Sequence, residues 1–283
     1  MGNVMDALTI EPTYRVLLGD MSRFRVMLVG AGGTGSSLAL ALAGLAYHAR
    51  QKGIQVELTL VDHDTIQEGN VGRQQFGVAS ALAGDVHKVS DLALRLNAAY
   101  GLSITAWPER YEAGLASEWF NHRAGGYSQP HLIIGAVDNM AGRREIAKTV
   151  AAFHGRVWAL DSGNDRWSGQ VLIGNMTDVS QIQFDRLGLC TGLPSPYLQE
   201  PDLLEPEAAE QPHSCAEMTL IGEQSLMVNK MAAAITAQYC FNFILRQQVA
   251  QMASYFNLEP TVMTAVPVTR KGIEAIDEKR RSR

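Results

Sequence analysis

The stretch Arg25-Val-Met-Leu-Val-Gly-Ala-Gly-Gly-Thr-Gly35 decides the fold. A continuous apolar run, Arg25 to Gly30, ends abruptly in glycines, which reads as a short buried strand. The next segment, Ser36 to Arg50, is rich in Ala and Leu and reads as a helix. Glycines between a strand and a helix let the backbone approach a ligand closely, and the helix amides beyond them face a phosphate. By itself the loop Gly30, Gly32, Gly33 and Gly35 says only that a nucleotide binds, and it suits NAD or FAD equally well.

The reading extends outward from that loop. Val56 to Val61, Leu132 to Ala136, Val157 to Asp161 and Gly169 to Gly174 read as further strands. Gly84 to Ala99 and Gly142 to Phe153 read as helices between them. Strands alternating with helices predict an α/β, doubly wound, Rossmann-like, mostly parallel sheet with helices on both faces. After about Asn175 the pattern changes. Gln181 to Ser214 holds Pro194, Pro196, Pro201, Pro206 and Pro212 beside Glu200, Asp202, Glu205, Glu207 and Glu210, and reads as a mobile loop or a lid. Helical composition resumes over Met218 to Arg246, Thr261 to Val268 reads as a closing strand that Pro267 confines to an edge or an end, and Glu278 to Arg283 reads as a frayed tail. The expected organisation is one domain over 1–283. It comprises a nucleotide-binding core at 22–175, a Pro-rich crossover loop at 176–216 and a C-terminal helix and strand at 217–270.

Composition sets bounds. The chain has 283 residues, 46% hydrophobic and 19% charged, which is ordinary globular composition. A formal net charge of -5 argues against a general nucleic-acid binder. No apolar run is long enough to span a bilayer, and Met1 to Asp20 shows no signal-peptide pattern. Three cysteines, Cys190, Cys215 and Cys240, lie outside any Cys-x-x-Cys, so no structural zinc is expected and a cytoplasmic location is the simplest. The seven histidines show no metal-ligand spacing.

Asp62 ends the second strand, where an acid takes a ribose hydroxyl pair; Asp64 is a second polar contact or a turn residue. The next polar elements are foreign to hydride transfer: Asn70-Val-Gly-Arg73-Gln-Gln-Phe76, then Lys88, then Asp138-Asn139 with Arg143 four residues on. Two cations and a carboxylate near the phosphates suit triphosphate chemistry, in which Arg and Lys neutralise oxygens and a carboxylate holds Mg²⁺.

Together GAGGTG, VDHD, NVGRQQF, Lys88 and Asp138-Asn139 resemble the ThiF/MoeB/HesA superfamily of adenylyltransferases, related to ubiquitin-activating enzymes, over roughly Ser22 to Gly174. Within it, the chain is most similar to the ThiF-family proteins of bacterial PRTRC gene clusters. The resemblance implies that the C-terminal carboxylate of a ubiquitin-like or sulfur-carrier protein, usually ending in Gly-Gly, attacks the α-phosphorus of ATP. An acyl-adenylate and pyrophosphate result. It implies that Gly30, Gly32, Gly33 and Gly35 shape the phosphate loop and that Asp62 binds ribose. Asn70 and Arg73 orient and neutralise phosphates, and Lys88 stabilises the leaving pyrophosphate. Asp138 holds Mg²⁺, with Asn139 and Arg143 supporting its loop. It also implies a homodimer and, in some relatives, a conjugating enzyme as partner. No clear match to the dimer arginine of some relatives lies in Met1 to Asp20; Arg15 is the nearest.

Relatives that form a thioester pass the acyl group to a cysteine. Cys215 comes after the Pro-rich loop, sits beside His213 and precedes a helix-like segment, which favours a thiolate. Cys190 is a weaker nucleophile candidate, and Cys240, beside Phe241 and Phe243, reads as core. Two other readings stay open: an NAD- or FAD-dependent oxidoreductase, and a nucleotide-binding scaffold without chemistry.

Overall fold

The structure is a computed structural model, and it describes residues 11–121, 130–205 and 226–281. The strands in chain order are β1 (Thr13–Tyr14), β2 (Val16–Leu17), β3 (Arg23–Val29), β4 (Gln55–Val61), β5 (Thr105–Trp107), β6 (His131–Gly135), β7 (Val157–Asn164), β8 (Ser168–Gly174), β9 (Gln248–Val249), β10 (Gln251–Leu258) and β11 (Thr261–Thr269). The helices are α1 (Gly33–Gln51), α2 (Val78–Leu82), α3 (Lys88–Tyr100), α4 (Ala113–Asn121), α5 (Met140–Ala152), α6 (Pro196–Gln199), α7 (Val228–Ile244) and α8 (Arg270–Arg281).

One sheet runs β1-β11-β10-β8-β7-β6-β3-β4-β5. Its half from β7 to β5 is parallel; its half from β8 to β1 is antiparallel. The parallel strands alternate which face they bury. Phe24, Val26 and Leu28 of β3, Leu132 and Ile134 of β6, and Trp158 and Leu160 of β7 pack with α1, α3 and α7. Met27, Val29, Ile133, Val157 and Ala159 pack on the other face with α4, α5 and Tyr197 of α6. That alternation is why the apolar runs are continuous: both faces are covered.

The register places Trp107, Val61, Val29, Gly135 and Asp161 side by side at the C-terminal ends of five neighbouring strands. β3, the first of the parallel strands in the chain, has β4 on one side and β6 on the other, so the connections leave in opposite directions and a crevice opens between β3 and β6.

Several expectations shift. The helix expected from Gly84 begins at Lys88, because Gly84 (φ 68°) and Asp85 (φ 51°) turn the chain through left-handed conformations. The closing strand β11 fits the expected edge or end position: it pairs with β10 along its length, and the two-residue β1 covers only its last residues, Val268 and Thr269, beside Pro267. Pro267 is tolerated because it sits where the β10–β11 register shifts. The tail expected to fray is the end of α8, which continues to Arg281. The sequence pattern does not mark the short strand β5, the helix α4 or the long strand β10. The Pro-rich stretch is, up to Glu205, tied to the sheet and not a free loop. Gln199 Nε2 donates to the carbonyls of Ile173 (3.0 Å) and Pro194 (2.8 Å), Tyr255 Oη donates to Glu200 Oε1 (2.8 Å), and Leu193 and Tyr197 are buried. No described helix is long and apolar enough to cross a membrane.

Candidate active site

A cavity of about 1210 Å³ opens at the crevice, walled by the segments at the ends of β3, β4, β5, β6 and β7 and by Asn229 of α7. Its floor is the glycine loop. Gly30 has φ 94°, and a Cβ there would lie 2.5 Å from the Ala136 carbonyl oxygen. A Cβ on Gly35 would lie 1.9 Å from the Gly30 carbonyl oxygen, so α1 can start this close to β3 only on glycine. The N-cap Gly32 offers no side-chain oxygen, which leaves the first amides of α1 to a ligand's anion.

Asp62 ties the loops together: Ala31 N donates to its Oδ2 (2.6 Å) and Asp64 N to its Oδ1 (2.8 Å). It lines the cavity beside Gly30, where a ribose is expected. Asp64 is exposed and ion-paired with the buried Lys88, Nζ to Oδ2 2.8 Å. Burial would raise the Asp64 pKa, but the hydrogen bond and charge of Lys88, with His63 and Arg110, hold it below the usual carboxylate range. Lys88 is thereby fixed as the first residue of α3, its own amide donating to the Asp64 carbonyl (3.0 Å).

Arg73, Lys88, Asp138 and Asn139 all line the same cavity. Asn70 does not. It is buried, and its Oδ1 accepts from Gln67 N (2.8 Å), closing the turn that carries Arg73. Asn139 caps α5, its Oδ1 accepting from Gly142 N (2.8 Å), and its Nδ2 donates to Asp138 Oδ1 (3.3 Å). Asp138 is exposed to the cavity, and its other oxygen has no hydrogen bond among the described residues, so this carboxylate suits a hard cation. Asp62, His63 and Asp64 also bring ligand atoms within 4.8 Å of one another. Their carboxylates, however, are already occupied by backbone amides and by Lys88.

Thr34, Ser162, Asn164 and Asn229 are among the cavity residues that a reading of the sequence does not mark. Thr34 Oγ1 lies 2.9 Å from Asn164 Oδ1 and 3.0 Å from Asn229 Oδ1, pinning α1, β7 and α7 together; nothing local in the sequence marks Asn229. Ser162 and Asn164 lie just past Asp161 at the end of β7 and reach the cavity. Asp161, which itself lies beneath the cavity wall, is wholly buried and accepts from Arg143 Nε (3.3 Å). Burial pushes the Asp161 carboxyl up, and the charge and hydrogen bond of Arg143 offset part of that. Removing one partner of such a pair strands a buried charge, at a cost of about 3–5 kcal/mol. The signal available is an ionisable residue within the apolar run Val157 to Asp161.

Cys215 lies outside the described residues. Of the other two cysteines, burial pushes the Cys190 thiol up to about 11 and the Cys240 thiol up to about 12, which suits neither to act as a nucleophile.

The fold resembles that of solved structures. E. coli MccB, crystallised with ATP, superposes with a TM-score of 0.51 at 14% identity, over 87% of this chain and 64% of that one. E. coli TcdA, a tRNA N6-threonylcarbamoyladenosine dehydratase, gives a TM-score of 0.45 at 19% identity, over 79% of this chain and 87% of that one. The chain thus spans about 64% of the length of the MccB chain. No curated protein sequence matches it. The ThiF family model matches residues 10–272, and the chain belongs to the ThiF family.

Proposed function

We propose that the protein activates the C-terminal carboxylate of a small ubiquitin-like or sulfur-carrier protein by adenylylation with ATP. The observation that carries this reading is the meeting of Arg73, Lys88 and Asp138 with the glycine loop around one cavity. Their segments are far apart in sequence, and hydride transfer has no need of them together.

In this reading the glycine loop and the first amides of α1 hold the phosphates, and Asp62 receives the ribose. Arg73 and Lys88 neutralise the pyrophosphate as it leaves, and the Asp64–Lys88 pair keeps the ammonium aimed before substrate arrives. Asp138 would hold Mg²⁺, which when bound neutralises phosphate charge. A carboxylate oxygen forms the bond to the α-phosphorus. The bond from that phosphorus to the oxygen bridging to the β-phosphorus breaks, and pyrophosphate departs with the electron pair. The nucleophile is already ionised, so alignment and neutralisation do the catalysis and no general base is required. In a subsequent step of the same proposal, the Cys215 thiolate attacks the carbonyl carbon of the acyl-adenylate, the bond from that carbon to the phosphate oxygen breaks, and AMP leaves with the electron pair.

ATP–pyrophosphate exchange with the cognate carrier tests it. Wild type should exchange label and Asp138→Ala should not; full exchange by Asp138→Ala, or tight NAD binding in place of ATP, overturns the reading. For the thioester, an adduct that reducing agents cleave should form with ATP and carrier. Cys215→Ala should abolish that adduct and spare exchange.

A further inference from the structure

Arg143 stands apart from the other cations of the cavity. Its Nε is anchored on Asp161, and no hydrogen bond ties its two terminal nitrogens among the described residues, although it lines the cavity. Gly163 makes room for it: a Cβ there would come within 3.1 Å of Nη2. Asp161 cannot release it cheaply, because the carboxylate is wholly buried, its Oδ1 has no partner among the described residues, and Arg143 is the cation that faces it. Tyr197 of α6, also buried, lies close enough to feel both charges and helps exclude water from the pair. The neighbouring cations of this wall are engaged. Arg144 donates to the Leu204 carbonyl, Lys148 pairs with Glu145, and Arg110 contacts His63.

Position gives the fork a task. Arg73 and Lys88, the cations for the leaving group, come from the segments between β4 and β5, on one side of the β3–β6 crevice. Arg143 is held over the end of β7, on the opposite side. A displacement at phosphorus needs the entering and leaving oxygens roughly in line, so the nucleophile has to enter from the β7 side. A guanidinium with its terminal N–H groups to spare matches a carboxylate.

We propose that Arg143 receives the incoming carboxylate of the acyl substrate, and that Asp161 is the positioning residue that holds it there. This rests on the adenylation reading above. The step adds nothing to the balance of that reaction: the carboxylate arrives ionised, exchanges its water for the Arg143 donors, and attacks with one oxygen.

The test is binding, not turnover. Wild type saturated with the magnesium complex of α,β-methylene-ATP is titrated calorimetrically with a peptide ending in Gly-Gly, as the free acid and as the C-terminal amide. The acid should bind at least tenfold more tightly. Arg143→Gln should erase that preference, Asp161→Asn should reduce it severalfold, and Arg143→Lys should restore part of it. All three should bind the nucleotide within about twofold of wild type, which also certifies that they fold; Arg143→Lys carries the test where Arg143→Gln does not. A tenfold loss of nucleotide affinity in Arg143→Lys or Arg143→Gln makes the residue a phosphate ligand and overturns the proposal. So does a wild type that binds nucleotide but treats acid and amide alike. A wild type that binds no nucleotide overturns the adenylation reading first, and this one with it.

Discussion

The two halves of the sheet do different jobs, and their strand directions explain why. In the parallel half, five strands end at one edge in a common row, so every connection leaving them opens on the same side. The cavity is made from those connections. In the antiparallel half, successive strands end at opposite edges, their loops cannot converge, and none of β8, β10 or β11 lines the cavity. That half instead extends the core, through Met252, Phe256 and Val268. Residues in the first half should govern activity, and residues in the second should govern stability.

The sharpest break of that contrast is a pair of glycines. Gly35→Ala places a Cβ 1.9 Å from the Gly30 carbonyl, and Gly174→Ala places one 1.8 Å from the Pro194 carbonyl. The first should reduce ATP affinity by calorimetry about a hundredfold or more, since the loop must open to admit the methyl. The second should lower the melting temperature yet leave the ATP affinity of the folded protein unchanged. Equal loss of ATP binding in both would dissolve the distinction.

Next in size is Lys88→Met. Loss of a preorganised cation at a developing charge is worth about 10²–10³ in rate, read by pyrophosphate exchange. Stability should change little, because the carboxylate it leaves behind, Asp64, is half exposed, 51%. A rate within threefold of wild type would remove Lys88 from the chemistry.

Against the antiparallel half, Tyr239 of α7 is buried with its hydroxyl 2.9 Å from Ser254 Oγ of β10. Tyr239→Phe should cost about 1 kcal/mol in denaturant unfolding, with exchange activity unaltered.

A pH-dependent effect concerns His131 at the start of β6. Burial, then the charges of Arg25 and Arg156, push its pKa from 6.5 down to about 4. The unfolded chain therefore binds a proton that the folded chain rejects between those values. Stability should fall as the pH drops from about 6.5 towards 4, and His131→Gln should flatten that slope in unfolding titrations. An unchanged slope would show that other groups dominate in this window.

Local signals carry the parallel half well. Apolar runs ending in Gly30, Asp62 and Ala136 are legible because the strands are covered on both faces and the turns demand particular residues. The residues that escape, Asn164, Asn229 and Asp161, work through partners more than a hundred residues away or through burial, and no local pattern encodes either. Asn70 belongs to the NVGRQQF segment, but the structure uses its side chain to close a turn and not to wall the cavity. Strand β10 is hard to read because its residues, QMASYFNL, neither alternate cleanly nor form an apolar run.

The amino-acid order alone determined that a strand, a glycine turn and a helix would make a nucleotide loop, since those conformations depend on residues adjacent in the chain. Only the tertiary structure decided which charges meet. Lys88 is aimed by Asp64, and Arg143 is locked by Asp161, because strand register and burial bring them together at distances of 2.8 and 3.3 Å. Charges held in this way act strongly because the fold, not the chain, removes the water and the freedom that would otherwise weaken them.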